Sequence, residues 1–109
     1  MPTAYKVLGQ SAPAATTATT LYTVPAATET VISTIAVANR SATAATFRIA
    51  IRPNGATLAN EHYVAFDAPI SGNDSLFITV GATADATDVV TVYASLANLS
   101  FTAFGSEIS

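Results

Sequence analysis

The 109 residues contain no cysteine, no tryptophan, one histidine and only four basic side chains. Each scarcity removes a class of chemistry. Without cysteine there is no disulfide staple and no thiolate nucleophile, and nothing is learned about redox compartment. The single histidine, His62, would have to serve any Ser–His–Asp arrangement alone, and no Gly-x-Ser-x-Gly elbow accompanies it. The glycines Gly9, Gly55, Gly72, Gly81 and Gly105 are scattered singly, so there is no phosphate-cradling loop. No basic run is present, and the formal charge is −3, which leaves nucleic acid without an electrostatic footprint. No apolar run approaches the roughly 18 residues of a membrane-spanning helix. The opening MPTAYKVLGQ lacks the basic stretch and apolar core of a secretory leader, so the expectation is a protein made in a cytoplasm. Charged residues make up 10% of the chain, against roughly 25% in typical soluble proteins. A surface so sparing of charge suits a protein that lives packed against other protein.

What is there points to strands. Half the residues are hydrophobic, but 23 of them are alanine, and 17 residues are threonine, which favours a half-buried pleated surface. Alternation with period two recurs along the chain and predicts eight strands: Tyr5–Gln10, Thr19–Val24, Thr30–Asn39, Ala45–Arg52, His62–Asp67, Ser75–Val80, Asp88–Ser95 and Asn98–Phe104. The same alternation assigns inward faces to Val31, Ile35 and Val37; Phe47, Ile49 and Ile51; His62, Val64 and Phe66; Leu76, Ile78 and Val80; Val90 and Val92; Leu99 and Phe101. Turn signals lie at Pro25, Asn39–Ser41, Pro53–Gly55, Ser71–Asp74 and Gly81–Thr87. Short strands at this spacing imply an all-β antiparallel sandwich, jelly-roll-like, as a single domain over residues 1–109 with a short N-terminal arm. One helical turn is expected over Ala82–Asp88. Ser11–Thr20, SAPAATTATT, has little to bury and is expected to be mobile unless something holds it, either its own fold or a neighbouring subunit that contacts it or the N-terminal residues.

Candidate sites are few. His62 has no evident partners and reads as structural. Asp85 with Asp88, and Asn73 with Asp74, have oxygens for calcium, yet neither loop is dense enough for six to eight ligands, and such residues more often cap turns. A carboxylate pair for sugar hydrolysis would be drawn from Glu61, Asp67, Asp74, Asp85 and Asp88. The expectation is no catalytic residue, no cofactor and no metal. Tyr5, Tyr22, Tyr63, Tyr93, Phe77 and Phe104 fall opposite the inward sets, where a cluster would mark an interface or a glycan platform. Arg48 and Arg52 share the outer face of one strand, about 13 Å apart. They read either as two solubilising charges on a solvated face or, with so little other charge on the chain, as anchors, at least one of which meets a carboxylate on a neighbouring chain. The candidate interface is Arg48, Arg52, Tyr5 and Tyr63.

Five segments, YKVLGQ, LYTVPA, TFRIAIRPNGATLANEHYVAFD, DATDVVTVYAS and NLSFTAFGSEI, run in order through nearly the whole chain. In this arrangement the chain resembles a family of small structural proteins of tailed bacteriophages, notably those infecting cyanobacteria. The resemblance implies a non-enzymatic virion component assembled in the host cytoplasm. Its expected role is an oligomeric capsid decoration, or cement, subunit. Its partners would be other virion proteins and further copies of itself, with a homotrimer suited to local capsid symmetry; neither nucleic acid nor membrane is expected. The alternative is a tail, baseplate or fibre-associated module touching host-surface glycans.

Overall fold

The structure, a computed structural model, describes Thr3–Ser109; Met1 and Pro2, the start of the expected N-terminal arm, lie outside the described residues. Eight strands form: β1 (Thr3–Ser11), β2 (Thr19–Thr23), β3 (Glu29–Asn39), β4 (Ala45–Arg52), β5 (Tyr63–Ile70), β6 (Ser75–Ala84), β7 (Val89–Ala94) and β8 (Leu99–Ile108). They pair antiparallel into two four-stranded sheets, sheet A in the order β1-β8-β3-β6 and sheet B in the order β2-β7-β4-β5. This interleaving of chain-distant strands is the double Greek key of a jelly roll. Thr3 onward is therefore an edge strand of sheet A rather than a free arm.

Between the sheets lies one core. Phe47 of β4 and Phe101 of β8 meet edge-to-face with ring centroids 6.2 Å apart. Ile32, Ile35, Val37, Ile49, Val90, Val92 and Leu99 close around them, each fully buried. Every buried side-chain polar atom among the described residues has a hydrogen-bond partner. Asn39 illustrates how: its amide donates to the carbonyls of Thr43 (2.8 Å) and Ser71 (3.3 Å), while its oxygen accepts from Ser41, tying two turns together.

Several expected faces are reversed, and each reversal has a β-bulge as its cause. One extra residue shifts the alternation by one and sends every later side chain to the other face. In β3, Ser33 is the extra residue, so Ile32 is inward and Val31 is outward at 36% exposure. In β2 the register shifts at Leu21, and Tyr22, expected to point outward, is buried. β5 shifts twice, at Val64 and at Phe66–Asp67, the latter with Asp67 at φ 50°. Val64 and Phe66 are consequently 56% and 55% exposed, and Ala65, Ala68 and Ile70 turn inward instead. His62 is not in the strand at all; it ends a short 3₁₀ turn over Asn60–His62. Another 3₁₀ turn covers Pro53–Gly55. The helical turn expected over Ala82–Asp88 is absent: β6 continues through Ala84, and Asp88 closes a turn by donating its N–H to the Asp85 carbonyl at 3.1 Å. Of the two ways of holding Ser11–Thr20, its own fold supplies one: Ala15 bridges to Ala94 and the Thr16 amide donates to the Ala94 carbonyl at 2.8 Å.

Candidate interaction surfaces

The two sheets present different outer faces. On sheet B the bulge in β5 sets both Phe66 and Asp67 opposite Arg48. The Arg48 guanidinium is sandwiched between the Phe66 ring, 4.1 Å from its centroid, and the Tyr93 ring at 4.4 Å. It also binds Asp67 bidentately, with Nε donating to Oδ1 at 2.7 Å and Nη2 to Oδ2 at 3.3 Å. Hydrogen bonding to Asp67 pushes the Arg48 pKa further up. Arg52 lies two repeats of the pleat further along β4. Its Nε donates to Thr91 Oγ1 at 3.1 Å and its Nη1 to the Ala56 carbonyl at 3.2 Å, drawing the 53–62 loop over the sheet. Ala50 and Thr91, both on the outer side of their strands, are buried there. His62 locks the same loop, its Nδ1 accepting from the Ala59 amide at 3.0 Å. Both arginines do face away from the core, but the carboxylate expected from a neighbouring chain is supplied to Arg48 from within. Tyr63 packs edge-to-face on Phe66 at 4.9 Å, extending the same aromatic group.

Among the described residues, sheet A has no such cover. Register places three rows across its outer face: Tyr5, Ser106, Val31 and Thr83; then Val7, Phe104, Thr34 and Thr79; then Gln10, Thr102, Ala36 and Phe77. None of these twelve carries a charge. Glu29, in the row beyond, is the nearest acidic residue on this side. Tyr5 is 84% exposed and Phe77 70%. The four candidate interface residues thus divide: Tyr5 belongs to the bare face of sheet A, and Arg48, Arg52 and Tyr63 belong to the self-covered face of sheet B.

A polar network closes the β1–β2 side of the sandwich. The Tyr22 hydroxyl donates to Glu107 Oε2 and shares a 2.9 Å hydrogen bond with Thr30. Lys6 Nζ lies 2.7 Å from Glu107 Oε1. Burial and the neighbouring carboxylate push the Tyr22 phenol up to about 12. The hydrogen bonds from Lys6, then Tyr22, hold Glu107 below the usual carboxylate range. Because the folded carboxyl is the more acidic, its contribution to stability is full above the ordinary glutamate value of about 4.3 and is lost as pH falls through the folded value. Tyr22 works in the opposite direction: its contribution is full below about pH 10 and is lost as pH rises through the folded value. Spectrophotometric titration should show a late phenol ionisation at about 12, and Tyr22→Phe should remove that late step. A Tyr22→Phe protein that keeps the late step would refute the assignment.

The acidic loops are occupied by their own backbone. Asp88 accepts from the Asn54 amide at 2.7 Å and the Asp85 amide at 2.9 Å. Asp85 accepts from Ala86, and Asp74 from Ser75, each at 2.8 Å. With Asp67 engaged by Arg48, four of the five carboxylates considered for hydrolysis serve turns or an ion pair. Sequence reasoning missed Asp67, Phe66 and Tyr93 as the partners of Arg48, and the Lys6–Glu107–Tyr22 network. Their proximity arises from bulges and from a β1–β8 pairing across the length of the chain, which leave no local signal. At a significant level of similarity, no family model, curated protein or solved structure matches this chain.

Proposed function

We propose that this protein is a non-enzymatic structural subunit that acts by laying the outer face of sheet A against other protein, and that it does so in a tailed-phage virion, foremost as a capsid decoration subunit. The observation that carries the docking role is the three adjoining uncharged rows on the outer face of sheet A, with Tyr5 and Phe77 exposed on them. Large exposed apolar patches on small domains mark interaction sites, and aromatic residues with little charge are the make-up of interface centres. The virion setting rests on the sequence resemblance. Jelly rolls occur in viral coats and in lectins alike, so the fold accommodates this reading by analogy only. A tail-associated, glycan-touching role is the second reading, favoured by the recess beside Asn60, Tyr63 and Phe66 on sheet B.

The test is to purify particles, locate the chain in a density map, and measure its occupancy with Tyr5→Asp and Val7→Asp variants. Both positions are exposed, so the variants should fold. Many copies over the shell, with occupancy requiring about tenfold more variant protein, would bear out decoration. A few copies at the tail would establish the second reading, and full occupancy by both variants would overturn docking through this face.

A further inference from the structure

Among the described edge strands, β6 is the longest and carries neither charge nor proline. Natural sheets protect their edges with charge, proline, bulges or shortness. β5 has two bulges, Asp67 and Pro69. β1 has a bulge and Lys6, and its Gly9 backbone lies so close to β2 that a Cβ there would sit 2.2 Å from the Leu21 carbonyl oxygen. β2 is five residues long. β6 is ten residues, SLFITVGATA, with no charge and no proline, and its bulge lies beyond Thr79, leaving Ser75–Thr79 regular. Beside it the sandwich gapes. A cleft of about 250 Å³ opens between the sheets, lined by Ile49, Val64, Ala65, Ile78, Val80 and Ala82. Leu76, Ile78 and Val80 point inward yet remain only half-buried, the latter two lining this cleft.

We infer that the β6 edge pairs antiparallel with β6 of a second copy of this chain, about a twofold axis at Phe77. Charge selects the occupant. The seam is uncharged along its whole length, so an uncharged strand meets it without leaving a charge unpaired in the contact. A second copy supplies one with no like charges brought opposite each other. Register then follows from geometry. Pairing that keeps inward residues opposite inward residues requires the twofold to pass through a residue position rather than between two. Regular pairing of β6 with β3 runs from Ser75 to Thr79 and stops where Gly81, at φ 58°, bulges the strand. The midpoint of that run is Phe77. In this register Phe77 meets its own counterpart on the outer face, Leu76 meets Ile78 on the inner face, and Ser75 meets Thr79. Each copy closes the other's cleft. An isologous contact of this kind uses up both edges and stops, whereas a head-to-tail contact would leave an edge free to polymerise. The product is one continuous eight-stranded sheet, which doubles the bare outer face. The pairing is a property of the isolated chain and stands or falls independently of docking on a particle.

The absence of cysteine makes the register directly testable. Antiparallel partners lie about 4.5–5.5 Å apart between Cα atoms, inside the disulfide range. Mild oxidation of Phe77→Cys should give covalent dimers, and Thr83→Cys under the same conditions should stay uncrosslinked. By sedimentation equilibrium the wild-type chain should be a dimer at tens of micromolar. Phe77→Lys and Phe77→Glu should each dissociate at least about tenfold more readily, and mixing the two should restore a dimer. Position 77 is exposed, so far-UV circular dichroism should be unchanged; were a charged variant to unfold, the cysteine cross-link would decide. A wild-type monomer or trimer, a Phe77→Lys dimer of undiminished affinity, a mixture that stays monomeric, or absence of the cross-link would each overturn the proposal.

Discussion

Replacing Phe101 by alanine is expected to cost about 3–5 kcal/mol in a urea unfolding experiment. The ring is buried near the start of β8, edge-on to Phe47 of the facing sheet, in a strand flanked on both sides by β1 and β3. Deleting it loses the transfer free energy of the ring and leaves a cavity that two hydrogen-bonded sheets cannot collapse to fill. Domains of this size have a total stability of about 5–15 kcal/mol, so the midpoint should fall steeply. Phe66→Ala is the control. Period-two alternation places Phe66 in the core alongside Phe101, but it lies on the outer face at 55% exposure. Its loss should cost well under half as much. Equal losses for the two would show that the bulge in β5 is misplaced.

Gly105→Ala should destabilise the fold by about 3 kcal/mol, the upper end for forcing a methyl group into a packed interior. A Cβ at Gly105 would lie 2.0 Å from the Val31 carbonyl oxygen and 3.1 Å from Leu8 Cδ1. The nearer atom is backbone, in a strand paired on both sides by β8 and β6, so it has little freedom to retreat. Gly81→Ala meets nothing within 4 Å and suffers only from its positive φ, so it should be the milder of the two changes. The comparison is read from thermal midpoints. A Gly105→Ala protein as stable as wild type would show that β3 and β8 are less closely apposed than described.

Much of the architecture could be read from residues alone. Eight strands, antiparallel pairing and a two-sheet core follow from alternation, threonine content and turn residues. Ala45–Arg52 was bounded correctly because β4 runs without a bulge of its own and Pro53 ends it. The outward direction of Arg48 and Arg52 was equally legible, since Phe47 and Ile49 claim the other face. What surrounds those arginines was not. Asp67, Phe66 and Tyr93 reach Arg48 from two other strands, and Asp67 does so only because an extra residue in β5 turns it there.

The division between what local pattern and long-range packing each determine has one physical source. Side-chain direction in a strand has a period of two, so composition and alternation specify that strands exist and that each has an apolar side. A bulge leaves the alternation intact on both sides of itself and changes only its phase. Phase is settled by the partner strand's register. That is why Val31, Val64, Phe66 and Tyr22 could be assigned to strands from the sequence, while their faces were set by β8, β6, β4 and β7 in the assembled sandwich.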